Sequence, residues 1–200
     1  MPELPGELAP YLSPSTVIDS DHPAVAAKAA SLAAGQTSDV AIARAAFTFV
    51  RDAIRHSADF RQNPVTCAAS EVLRHGTGYC YAKAHLLAAL LRASGIPAGL
   101  CYQRLLVDPD APHTPFCVHG LVAVHLREFG WYRADPRGNK PGVDAQFTPP
   151  KERLAFPITA PGEADLPGIH AEPLPRVLAA LRAHATWDTL YADLPDLPPA

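Results

Sequence analysis

The chain has 200 residues, 48% of them apolar and 18% charged, so it can bury a sizeable core and is not a disordered polypeptide. Seventeen Lys and Arg against twenty Asp and Glu leave a net charge of −3, which excludes the basic footprint that nucleic acid or an anionic membrane surface selects. Four Cys make no disulfide framework, Met1-Pro2-Glu3-Leu4 shows no signal-peptide pattern, and no apolar run approaches the ~20 residues of a bilayer span. The expectation is one domain over residues 1–200, cytoplasmic, with neither nucleic acid nor membrane as partner.

Proline, 22 of 200 residues against a usual ~5%, gathers at the N-terminal lead, in an irregular stretch over 149–175 and at the C-terminal end. Between them the chain reads first as helix. Asp21 is a candidate N-cap, with Pro23 in the first turn and an Ala-rich run to about Ala34 closed by Gly35. Ser38 caps the next helix, in which Val40, Phe47, Val50 and Ile54 recur near helical spacing. Its end, with Arg51, Asp52, Arg55 and His56, reads as a solvated face. Ser70 to Arg74 forms a short turn before Gly76. From Gly78 to Gly95 the sequence lacks internal Gly and Pro and is apolar on nearly every face, which predicts a central, buried helix ending at Gly95.

After Pro97 the pattern changes to strand. Residues 98–107 form one strand, 118–126 a second, and Trp131 to Asp135 a third, joined to the second by the turn Arg127-Glu128-Phe129-Gly130. A last helix covers about 174–191. Helices followed by an antiparallel sheet define an α+β class.

Cys80 stands at the opening of the buried helix, after Gly76-Thr77-Gly78. Free N–H groups and the positive end of the helix dipole favour thiolate there, and the same N–H groups can receive an oxyanion. A thiolate works with a His and a third group that orients it. Of nine His, His119 is the best placed, before Gly120 at the mouth of a core strand. His125 shares its face nearer the turn. His85, five positions after Cys80, lies on another helix face and cannot serve. Asp135 ends the paired strand. A turn centred at 128.5 sets residue 119 opposite 138, so Asp135 is three residues out of step and a bulge is required to bring it to His119. Cys67, Cys101 and Cys117 read as core or near-core thiols, Gly138 to Gly142 as a turn cluster, and Trp131 as sheet packing or a cleft wall. A zinc site would have to collect His113, Cys117 and His119, since no C-x-x-C pair exists.

Gly78-Tyr79-Cys80, the following Ala84 to Ala98, His119-Gly120 and Gly130 to Pro136 together resemble the transglutaminase-like superfamily. The resemblance spans about residues 38–140 and is most specific around the Cys. It implies a papain-like α+β fold, a central helix packed on an antiparallel sheet. It also implies catalytic Cys80, His119 and Asp135, and acyl transfer from an amide or peptide bond of a peptide or protein through a Cys thioester, without cofactor or metal. The chain departs from the family pattern in Gly120-Leu121-Val122, where many members carry an aromatic and then an acidic residue, and in Arg137 after Asp135-Pro136. Gln62 and Gln103 are open candidates for an oxyanion side chain. The rival readings are a non-catalytic binding or scaffold module of the same fold and the zinc-dependent hydrolase.

Overall fold

The computed structural model describes residues 5–108, 111 and 114–198. The chain opens with α1 (Pro5–Leu8), a 3-10 turn, α2 (Pro23–Ala33) and α3 (Asp39–Ala53). The α2 cap lies one residue later than expected, because the His22 ring nitrogen, not Asp21, accepts the Ala24 N–H at 3.3 Å. Ser38 does cap α3, accepting from Ala41 N at 3.2 Å.

A short strand β1 (Arg55–His56), α4 (Ser57–Phe60), α5 (Ala69–His75) and β2 (Thr77–Gly78) follow. β1 and β2 pair in parallel, His56 beside Gly78, a non-local contact that pulls His56 off the helix face expected for it and buries it. Helix α6 (Cys80–Ala93) is buried at every position but its last. Its Leu86, Leu87, Leu90 and Leu91 are at most 1% exposed, and at ~1.5–3 kcal/mol each they anchor the helix in the core. The apolar cluster around it extends from Val17 to Leu190.

The sheet comprises β3 (Ala98–Leu106), β4 (Phe116–Leu126) and β5 (Gly130–Ala134). Beyond these come the hairpin β6 (Gln146–Thr148) and β7 (Lys151–Arg153), and a short edge strand β8 (Ala164–Asp165). The four-stranded order is β5-β4-β3-β8, antiparallel throughout. Val118, Val122 and Val124 of β4 face α6, while Leu121 and Ala123 face a smaller cluster with Cys101 and Trp131. The stretch expected to be irregular, 149–175, therefore contributes two short strands, β7 and β8.

The C-terminal helix is two pieces, α7 (Pro175–Ala183) and α8 (Trp187–Tyr191). Three tertiary bonds hold the break: Val65 N donates to Ala185 O at 3.2 Å, Trp187 N to Asn63 Oδ1 at 2.7 Å, and Tyr79 Oη to Trp187 O at 2.5 Å. No helix among the described residues is long and apolar enough to cross a membrane.

Candidate active site

Cys80 is the first residue of α6, and the residue before it, Tyr79, supplies no side-chain cap. The opening N–H groups of α6 therefore keep the positive end of the helix turned to the sulfur. The helix start is pressed against β4: a Cβ on Gly120 would stand 3.1 Å from Tyr81 Cα and 3.3 Å from Tyr81 N. Only a residue without a side chain admits the helix backbone that close to the strand. Tyr81 completes the clamp by donating its hydroxyl to Val118 O.

The closeness brings His119, one residue earlier on β4, and Cys80 to the same cleft, near enough for the sulfur to act on the imidazole charge. His119 Nε2 lies 2.8 Å from Asp135 Oδ2, which leaves Nδ1 for the sulfur. Asp135 is fully buried. Its Oδ2 also accepts from Ala155 N at 3.0 Å, and its Oδ1 accepts from Arg137 N at 3.1 Å. Burial works against the imidazolium, but the charges of Asp135 and Cys80 outweigh it and push His119 up to about 10. Burial likewise opposes the Asp135 carboxylate, and His119 and the two backbone N–H groups overcome it and hold its pKa low.

The structure thus gathers the three residues singled out in the sequence, without the expected bulge. β4 and β5 pair regularly from Val122↔Ala134 to Leu126↔Gly130, leaving Arg127–Phe129 as the turn. Continued outward, that register sets 119 opposite 137 instead of 138. One residue decides the face: with 137 opposite, Asp135 lies on the same face as His119 and diagonal to it, within side-chain reach.

Cys80 and His119 line a cleft of about 880 Å³, with Asp135 buried behind His119. Phe156 packs edge-on to the His119 ring at 5.2 Å, and Trp187, Tyr191 and Leu194 wall the side beyond Tyr79. Lys140, Pro141 and Gly142 of the turn cluster also line it. His56, which the sequence pattern placed in solvent, presents its ring to this cleft and contacts Tyr79 at 5.4 Å between centroids. Burial drives His56 well below its ordinary pKa, so the ring is neutral. Its local sequence carries no sign of this, because the strand pairing that buries it joins residues 22 apart.

Other expectations are redirected. Trp131 does not wall the cleft; it packs edge-on against Tyr11 and His125 on the far face of the sheet. Neither Gln62 nor Gln103 lines the cleft, and Gln103 Nε2 is engaged with Asp165 at 3.0 Å. His85 donates from Nδ1 to Cys67 O at 2.8 Å, and burial pushes it down to about 4. The thiols of Cys101 and Cys117 are pushed up to about 12 by burial, and Cys67 is raised by the same cause. His113, named for the zinc alternative, falls outside the described residues. Among the described residues no three His, Cys, Asp or Glu side chains are grouped to hold a metal ion.

Comparison with solved structures shows a shared fold. A candidate cysteine protease from Cytophaga hutchinsonii superposes with TM-score 0.55 at 21% identity, covering 68% of this chain and 45% of that one. The periplasmic domain of TgpA from Pseudomonas aeruginosa gives TM-score 0.51 at 20% identity in its ethylmercury-bound and other crystal structures, covering 68% of this chain and 50% or 48% of theirs. The chain therefore spans about half the length of the structures it matches. A search of curated proteins finds no match. Residues 26–136, more than half the sequence and the stretch that carries Cys80, His119 and Asp135, match the family model described as the Transglutaminase-like superfamily, and the chain belongs to that superfamily.

Proposed function

We propose that the protein is a cysteine enzyme acting on amide or peptide bonds, with Cys80 as nucleophile, His119 as acid and base, and Asp135 as the group that orients His119. The Cys80 thiolate attacks the amide carbonyl carbon, and the oxyanion is received by the free N–H groups at the start of α6. Collapse breaks the C–N bond, the imidazolium of His119 protonates the departing nitrogen, and a thioester remains on Cys80. Water or an amine, giving its proton to His119, then attacks the thioester carbonyl and releases the thiolate. A peptide or protein amide is the substrate of this reading. No step needs a metal or cofactor.

The observation that carries the reading is the buried pair of His119 and Asp135 at 2.8 Å, with Cys80 in the same cleft as His119 at a helix N-terminus. Titration with iodoacetamide at pH 7 tests it, with the modified residue identified by peptide mass. One equivalent is expected on Cys80, because burial raises the pKa of the other three thiols. His119→Ala should lose that selectivity. Even labelling across all four Cys in the native protein would refute the proposal.

A further inference from the structure

The cleft carries a charge that the rest of the chain does not. Overall the protein is acidic, at −3. Yet on the cleft side next to His56, two cations converge on one carboxylate. Arg137 binds Asp59 through both terminal nitrogens at 2.7 and 3.1 Å, and Lys140 Nζ binds the same Asp59 at 2.7 Å. The three together leave one positive charge. Buried His56 cannot compensate: it is neutral, and its Nδ1 has no hydrogen-bond partner among the described residues and stands 3.7 Å from Asp59 Oδ2.

Arg61 adds a second cation. It lines the cleft, is exposed, and makes no ion pair or hydrogen bond through its guanidinium among the described residues. Its backbone is left-handed, φ 51°, and it is the one non-glycine among the described residues with positive φ. That conformation closes α4: Arg61 is its C-cap, and its backbone N–H donates to Ser57 O. Glu163, a second carboxylate of the lining, is held in place by the backbone N–H groups of Leu106, Thr159 and Ala160 and keeps its charge. Leu105, Trp187, Tyr191 and Leu194 give the lining an apolar part, and Trp187 adjoins the segment that carries Arg61 through its N–H to Asn63 Oδ1.

We infer that the cleft selects acyl donors bearing a carboxylate beside the attacked amide, held by Arg61 and Lys140, with an apolar group lying on the Trp187–Leu194 wall. This rests on the reading of Cys80 as nucleophile. Arg61, Arg137 and Lys140 outnumber Asp59 and Glu163 along the cleft by one charge, and a carboxylate is drawn to the cations that can bond it.

Iodoacetate and iodoacetamide, which differ only in a carboxylate for an amide, test the inference through the ratio of their rates at Cys80. Arg61→Gln and Lys140→Gln should each lower the ratio about threefold at low salt and the double variant about tenfold. Lys28→Gln, on the surface of α2, should leave it unchanged. In addition, N-acetyl-L-glutamate should protect wild-type Cys80 from iodoacetamide at a concentration at least about threefold lower than N-acetyl-L-glutamine. An unchanged ratio in both single variants overturns the subsite while leaving the nucleophile intact. A changed ratio without glutamate protection means long-range steering only, and overturns it too. Wild-type Cys80 inert to both reagents sinks the nucleophile assignment and the subsite with it.

Discussion

Replacing Asp135 by Asn removes one oxygen and one charge from the most enclosed carboxylate of the site. The carboxylate accepts three hydrogen bonds, from His119 Nε2 and Ala155 N at Oδ2 and from Arg137 N at Oδ1. An amide has a single acceptor oxygen. Turned to keep the two bonds at the Oδ2 position, Asn sets its NH2 group against the Arg137 N–H, donor to donor. Turned the other way, it opposes both His119 and Ala155. The better orientation loses one bond to a charged acceptor and weakens two, about 2–4 kcal/mol in a fully buried position. The chemical effect is larger. The imidazolium of His119 stands against burial chiefly through Asp135, so in Asp135→Asn the ring is neutral at pH 7. Cys80 is then without a cationic partner, and its alkylation should slow about tenfold for each unit by which the pH is lowered. Between pH 8.5 and 5.5 the variant should lose about a thousandfold in iodoacetamide rate, the wild type less than tenfold. Stopped alkylation followed by peptide mass gives both profiles, and urea unfolding gives the stability difference. If the variant retains the acid limb of the wild-type profile, Asp135 does not hold the charge on His119 and the reasoning fails.

Two further outcomes follow from the packing. Burial, aided by Arg137, pushes Lys83 down to about 7, while its Nζ donates to Ile54 O and to Arg51 O. From pH 7 to about 10.4 the unfolded chain holds a proton the folded one has released, so this group makes stability rise with pH across that window. His119, raised to about 10 from its ordinary value, acts oppositely and loses its stabilisation over about 6.5 to 10. The difference between wild type and Lys83→Met isolates the lysine: urea midpoints at pH 7 and 10 should show the wild type gaining relative to the variant, and parallel midpoints contradict the assignment. Gly120→Ala puts a methyl 3.1 Å from Tyr81 Cα, and backbone is what must yield. A cost of about 1–3 kcal/mol and a slower iodoacetamide reaction at Cys80 are expected, while unaltered stability and rate would show that the helix start has room to spare.

Legibility in the sequence followed locality. Helix α6 was readable because its apolar surface, its interior without Gly or Pro and its closing Gly95 all lie within one stretch of chain. Cys80 stood out because it follows the Gly76-Thr77-Gly78 loop at a helix start, and His119 because it precedes Gly120 at the mouth of a strand. The hairpin was readable as an element but not in register, since a turn of three residues and one of four differ by half a step in centre. That half-step decides which face Asp135 shares. His56 was not readable, because the sequence around it has the polar texture of a helix end and its burial arises from pairing with a distant Gly78. The break between α7 and α8 was equally hidden, being imposed by Val65, Asn63 and Tyr79. Nor does the sequence of the 149–175 stretch disclose that one of its backbone N–H groups props Asp135 from twenty residues away.

That prop has an implication for how such a protein diversifies. The groups assigned to bond breaking lie within 26–136, the portion that matches the family. The aromatic and leucine lining of Phe156, Trp187, Tyr191 and Leu194 comes from the 64 residues that follow. The reacting trio and this apolar part of the lining are thus written in separate stretches of the chain, linked at Ala155. Exchange of the tail, provided it still delivers one amide to Asp135, is a route to new substrates that leaves the reacting trio untouched.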